Sequence, residues 1–309
     1  MNRDERAFDP LIAQAKAHGA ITMSVCHPCS TESLLGAIES AQHGLIEPIL
    51  VAPRSKLDKL ANTLDIDLGR YRVVDVEHSH AAAEKAVELV RSGEAQALMK
   101  GSLHTDEFMS AALDRNLGIR TDRRISHVFI MRVSTYPRPL FITDAAINIA
   151  PNLKTKVDIT QNAIDLAHAL GVPMPKVAIL AAVEMVNPDM QSTIDAACLC
   201  KMADRGQIRG AMLDGPLAFD NAISHEAADT KGILSKVAGE PDILVVPDLE
   251  SGNMLAKQLT YLADAASAGI VMGARVPIVL TSRAEDAHGR LASAAVANVL
   301  AHYRAGGKA

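Results

Sequence analysis

The chain has 309 residues, 49% of them apolar and 22% charged, with a net charge of −5. That length supports one large core or two domains. The acidic balance excludes a nucleic-acid footprint or a polybasic membrane surface, and no apolar run approaches the roughly 20 residues that span a bilayer.

Strand-like and helix-like runs alternate along the chain. Ile21–Val25 reads as a strand, and Thr31–His43 as a helix with Leu34, Leu35 and Ile38 on one face. Ile49–Val51 is the next strand, followed by a helix around Leu57–Thr63. Ala81–Arg91 is helical, Ala97–Met99 a strand and Glu107–Leu113 a helix. His127–Val133 and Leu140–Thr143 read as an antiparallel pair around a segment with two prolines. Asn162–Leu170 is a helix closed by Gly171. Val177–Ala181 is a strand, Ser192–Ala203 a helix and Gly210–Leu213 a strand. Ser224–Ala228 and Gly232–Val237 read as a broken helical stretch. Ile243–Val246 (strand), Met254–Ala265 (helix), Val276–Leu280 (strand) and Leu291–His302 (helix) complete the series. The alternation predicts an α/β fold with a mostly parallel, doubly wound sheet.

Aromatic residues make up only 3%, with no Trp, so base-stacking platforms are not expected. The core must come from Ala, Val, Leu, Ile and Met, which suits helices packed on a buried parallel sheet. The charged N-terminus, MNRDERAFDP, has no leader-like apolar stretch, and a cytoplasmic enzyme without nucleic-acid or membrane partners is expected. Cys26-His27-Pro28-Cys29 is formally C-x-x-C. Cys198 and Cys200 have the wrong spacing for a second zinc knuckle, so reduced thiols are the simpler reading.

Polar residues gather after the strands. Met99 leads into Lys100-Gly101-Ser102-Leu103-His104-Thr105-Asp106. Leu213 leads into Asp214-Gly215-Pro216-Leu217-Ala218-Phe219-Asp220-Asn221. Val246 leads into Pro247-Asp248-Leu249-Glu250-Ser251-Gly252-Asn253, and Leu280 into Thr281-Ser282-Arg283. Ligands of open α/β sheets bind at the carboxyl ends of strands. A strand that runs into a hydroxyl pair, an Arg and a helix start suits an anion, because free N–H groups and the helix dipole face the turn. Ser282 and Glu285 also fit a capping box, and Thr105 and Ser251 fit plain N-caps; both readings stand on the residues alone. No G-x-G-x-x-G follows the first strand, and G-x-x-x-x-G-K-[ST], H-E-x-x-H and G-x-S-x-G are absent, which disfavours nicotinamide, P-loop and zinc-protease chemistry.

The Asp214–Ser224 stretch resembles the D-G-P-L-x-x-D-x-A-[IV] block of the phosphate acetyl/butyryltransferases. Pro247–Asn253 resembles their P-D-L-x-x-G-N block, and Thr281-Ser282-Arg283 their S-R block. Lys100-Gly101 through His104-Thr105 and Thr143-Asp144-Ala145-Ala146-Ile147-Asn148 resemble the butyryl-type branch and the transacetylase halves of hydratase fusions. The resemblance covers nearly the whole chain in order.

It implies a fold like that of isocitrate and isopropylmalate dehydrogenases, with two doubly wound α/β domains flanking a cleft. The first would span 1–124 plus 270–309 and the second, 125–269, would carry the homodimer contact. The implied reaction moves a short acyl group, acetyl to butyryl, between CoA and inorganic phosphate by direct thiolate attack on acyl phosphate. CoA is then a substrate, and no cofactor or metal is implied. Ser282, Arg283 and Asp286 would be catalytic. Lys100, Ser102, His104, Thr105, Asp144, Asp214, Asp220, Asp248, Gly252 and Asn253 would bind phosphate, acyl phosphate or CoA. The sequence departs from the acetyl-type pattern where Ala111 replaces an Arg and Gly289 an Asp, leaving Asp286 or Glu285 as the base. Two alternatives remain: a metal-dependent hydroxy-acid dehydrogenase of the same fold, in which Asp214, Asp220 and Asp248 would cluster, and a non-catalytic CoA- or phosphate-binding protein.

Overall fold

The computed structural model describes residues 6–280 and 287–307. The chain divides into two compact units, one formed by Arg124–Ser267 and the other by the described parts of Glu5–Arg123 and Ala268–Ala309.

The split unit is built on β1 (Ile21–Cys26), β2 (Ile46–Ala52), β3 (Arg72–Asp75), β4 (Ala97–Lys100), β10 (Ala266–Met272) and β11 (Ile278–Val279), ordered β3-β2-β1-β4-β11-β10. All neighbours are parallel except β10 and β11. Parallel strands buried on both faces need continuous apolar runs. β1 and β4 have them: Ile21, Met23, Val25, Ala97 and Leu98 are fully buried. The helices are α1 (Asp9–His18), α2 (Thr31–Gln42), α3 (Arg54–Thr63), α4 (Ser79–Arg91), α5 (Thr105–Ala112) and α11 (Ala287–Ala305). Ser30 starts α2 through a capping box with Ser33. The buried Asn298 of α11 donates to the carbonyls of Gly19 and Leu45, both at 2.8 Å, which ties the last helix to the starts of β1 and β2.

The continuous unit holds β5 (Ser126–Arg132), β6 (Leu140–Thr143), β7 (Lys176–Leu180), β8 (Met212–Leu217) and β9 (Ile243–Val245), in the order β5-β6-β9-β7-β8. β5 and β6 form the expected antiparallel pair, and the other pairings are parallel. Met131, Leu140, Ile142, Leu180, Leu217 and Leu244 belong to its core. Its helices are α6 (Leu153–Ala169), α7 (Gln191–Asp204), α8 (Phe219–Ile223), α9 (His225–Thr230) and α10 (Leu249–Leu262). No helix among the described residues is long and apolar enough to cross a membrane.

The structure corrects several sequence expectations. α1, β3 and β10 add to the elements that the sequence pattern predicts, and α6 and α10 begin earlier than their apolar stripes. Residues 232–237 are not helical. Asp214 does not follow a strand; it lies within β8, opposite Ala178.

Candidate active site

In the split unit, β4 lies between β1 and β11, with Cys26 opposite Lys100 and Val279 opposite Met99. The carboxyl ends of three parallel strands therefore meet at one edge. Gly101 makes that meeting possible. A Cβ there would lie 2.5 Å from the carbonyl oxygens of both Cys26 and His27, which are backbone atoms that cannot swing away. Gly101 N–H instead donates to Cys26 O at 2.8 Å and Ser102 N–H to His27 O at 2.9 Å. Lys100 is buried, and its Nζ donates to Gly101 O at 3.2 Å. Ser102 Oγ lies 3.1 Å from His27 Nδ1 and 3.0 Å from His27 O. His104 occupies the N-cap position of α5 without a side-chain cap bond, so Thr105 is the first helical residue and not the cap. Both are exposed. Lys100, Ser102, His104 and Thr105 thus line one turn. Ser282, Arg283 and Asp286 lie outside the described residues, in the stretch that follows Leu280 at the end of β11.

In the continuous unit, Asp144, Asp248, Gly252 and Asn253 assemble into one clasp. Asp144 is buried and accepts from the backbone N–H groups of His127, Ala146, Ile147 and Asn148. Asp248 caps α10, accepting from Ser251 N at 2.8 Å and from Ser251 Oγ at 2.7 Å. Asn253 Nδ2 donates to Ala145 O at 3.1 Å. A Cβ on Gly252 would lie 2.6 Å from Val246 Cγ2 and 3.0 Å from Ala145 Cβ, so the glycine lets α10 sit against the turn after β6. The two carboxylates are committed to backbone donors, and the clasp holds the T-D-A-A-I-N turn against the P-D-L-E-S-G-N helix start.

Asp214 and Asp220 are not in that clasp. Asp214 accepts from its neighbour Gly215 N at 2.8 Å. Asp220 is exposed on α8 and pairs with Lys231 at 3.1 Å, an ammonium that Glu184 also reaches at 3.1 Å. The backbone N–H of Asn221 and the Lys231 ammonium hold the Asp220 carboxyl below its usual range. Among the described residues, no group of three or more His, Cys, Asp or Glu side chains is placed to hold a metal, so Asp214, Asp220 and Asp248 do not form the cluster that dehydrogenase chemistry would need.

The cysteines are free. Burial pushes the Cys26 thiol well above its ordinary range, and burial also raises Cys29 against the opposing Lys56 ammonium. A thiol held protonated is a poor nucleophile. What the C-x-x-C spacing hid is His27 between them. It packs on Ser102, and its Nε2 is buried without a partner among the described residues. Leaving such an atom unsatisfied costs about 1–3 kcal/mol. A separate groove of about 360 Å³ between α4 and α5 is lined by Glu84, Glu88, Glu107 and Asp114, among others. Its acidic wall suits neither phosphate nor acyl phosphate.

The family model described as phosphate acetyl/butaryl transferase matches residues 80–298. A phosphate acetyltransferase of Rhizobium meliloti is 60% identical over 297 residues, 96% of this chain and 94% of that protein. A phosphate butyryltransferase of Clostridium acetobutylicum is 40% identical over 96% of this chain and 98% of its own length. A branched-chain phosphotransacylase from Enterococcus faecalis superimposes with a TM-score of 0.81 at 31% identity, covering 91% of this chain and 99% of that one. A 4-hydroxythreonine-4-phosphate dehydrogenase from Klebsiella pneumoniae, at 12% identity and a TM-score of 0.57, covers 91% of this chain and 99% of that one and shows that the fold is dehydrogenase-like. With these matches spanning nearly all of its length, the chain is an acyltransferase and belongs to the phosphate acetyl/butaryl transferase family.

Proposed function

We propose that this protein is a phosphate acetyltransferase, catalysing acetyl-CoA + phosphate ⇌ acetyl phosphate + CoA and accepting short acyl homologues more slowly. The observation that carries this reading is the parallel placement of β4 between β1 and β11. It brings Lys100, Ser102 and the chain leading to Ser282-Arg283 to one sheet edge. Relatives named as acetyltransferases reach 60% identity, against 42% for those named as butyryltransferases, which favours acetyl as the substrate group.

The chemistry follows from the residue types. A free thiol has a pKa of about 8.5, so only a few per cent of CoA is thiolate at pH 7. A base must take its proton as it attacks the acyl carbonyl, and Asp286 is the proposed base. Arg283 forms a planar, permanently charged fork for phosphate oxygens and stabilises the leaving phosphate. Ser282 hydrogen-bonds the thiol or the tetrahedral oxyanion, so transfer is direct and needs no acyl-serine. Lys100, Ser102, His104 and Thr105 hold the phosphoryl group. Asp144, Asp248, Gly252 and Asn253 act on the substrates through the clasp they build, whereas Asp214 and Asp220 support the β8–α8 segment. No metal or cofactor takes part, the working form is a homodimer, and the location is cytoplasmic.

The test is CoA release from acetyl-, propionyl- and butyryl-CoA, followed with a thiol reagent with and without phosphate. Phosphate-dependent release, fastest with acetyl-CoA and unaffected by EDTA, is expected. EDTA-sensitive turnover would overturn the metal-free mechanism, and no release from any of the three would overturn the activity.

A further inference from the structure

His27 stands at the carboxyl end of β1 with φ of 53°, a left-handed conformation that a non-glycine residue holds only where its surroundings fix it. Three elements fix it. Its N–H donates to Val51 O at 2.8 Å, and its carbonyl accepts Ser102 N–H at 2.9 Å and Cys29 N–H at 2.8 Å. Ser102 Oγ accepts Cys29 N–H at 3.3 Å and reaches both His27 O, at 3.0 Å, and Nδ1, at 3.1 Å; with its proton turned to Nδ1 the ring's own proton lies on Nε2, and an anionic oxygen at Nε2 selects that tautomer. Burial, aided by the Lys56 ammonium and opposed by Glu107, favours the uncharged imidazole. The residue is 9% exposed, and its Nε2 is a buried polar atom with no partner among the described residues. Such atoms in folded proteins are nearly always satisfied by some group.

We propose that His27 is a further substrate-binding residue of the transfer site, its Nε2–H donating to a phosphoryl oxygen of phosphate or acyl phosphate at the joined carboxyl ends of β1 and β4. The ligand class follows from the site. A neutral N–H donor beside the buried Lys100 suits an anionic oxygen. Ser102 does two jobs in this arrangement, since it lines the same turn and hydrogen-bonds His27 at Nδ1 and at its carbonyl. The inference rests on the acyltransferase reading above.

The experiment compares the full-length chain with His27→Phe, which removes the donor, and His27→Gln, which keeps an amide N–H on a side chain of similar reach. Thermal melting confirms that each is folded, and His27→Ala replaces His27→Phe if the latter is not. CoA release is measured at varied phosphate and varied acetyl-CoA. The expected result is a KM for phosphate raised on the order of tenfold in His27→Phe, the size of one lost hydrogen bond, with the KM for acetyl-CoA within about twofold. His27→Gln should recover most of the loss. A wild-type KM for phosphate in His27→Phe, or equal rises for both substrates that His27→Gln does not relieve, would overturn the role of His27 alone. A wild-type chain without phosphate-dependent release would overturn the acyltransferase reading itself, and the role of His27 with it.

Discussion

Lys156 and Asp195 are both buried, with 2.7 Å between the ammonium and a carboxylate oxygen, and Gln191 donates to the other oxygen at 2.9 Å. The pair joins α6 to α7. Removing one partner strands a buried charge. Lys156→Ala should cost about 3–5 kcal/mol in urea unfolding, whereas replacing both residues by well-packed apolar side chains should cost far less. A near-neutral Lys156→Ala would mean that water reaches the site. His127 is a second buried titratable group. Burial pushes its imidazole below the usual range, against the opposing Asp144 carboxylate. The sign follows from linkage. The unfolded chain takes up a proton near pH 6.5 and the folded chain does not, so stability falls as pH drops below about 6.5. His27, also lowered, acts in the same direction. The urea midpoint should therefore decline between pH 7.5 and 5, and His127→Phe should flatten part of that slope. At the proposed phosphate-binding residue, Arg283→Ala should lower kcat by about 100-fold or more, as expected for lost charge stabilisation. Near-normal turnover would remove Arg283 from the mechanism.

The turn from β4 into α5 depends on Gly101. Two backbone oxygens lie 2.5 Å from where a Cβ would be. Gly101→Ala should force β1 and β4 apart at their carboxyl ends, destabilise the fold by about 1–3 kcal/mol, and depress activity more than a stability loss of that size explains. Thermal melting and CoA release on the same preparation check both parts. At this scale the sequence was readable wherever an element carried a strong apolar period. The alternation through β1, α2, α4, β4 and α7 followed from it, as did the β5–β6 pair. The misses have physical causes. β3 has only Val73 and Val74 as apolar residues and lies at a sheet edge, and β10 opens with Ala266-Ser267-Ala268. Asp214-Gly215-Pro216 has turn chemistry, yet β8 absorbs it. The β7–β8 register shifts between the pairs Ala178–Asp214 and Leu180–Leu217, which accommodates one extra residue on β8. Among the candidate site residues, spacing located the Lys100–Thr105 turn. It gave no sign that Asp144 and Asp248 bond backbone donors, and the C-x-x-C pattern drew attention to the two thiols and away from His27.

For the whole molecule, order along the chain carried more than any single motif. Four polar blocks in sequence order resemble one family, and the match over residues 80–298 bears that out. Ala111 and Gly289 differ from the acetyl-type pattern, yet a relative named as an acetyltransferase is 60% identical over nearly the full length. The proposed acetyl transfer would proceed without an arginine at position 111. α5 instead has the exposed His104 at its N-cap and Thr105 as its first residue. The most direct test of the whole account is the steady-state release of CoA from acetyl-CoA by the purified full-length chain, with and without inorganic phosphate, and with acetyl phosphate measured as the second product. The account predicts release that requires phosphate and yields one acetyl phosphate per CoA. Release at the same rate without phosphate, or no release from any short acyl-CoA, would contradict it.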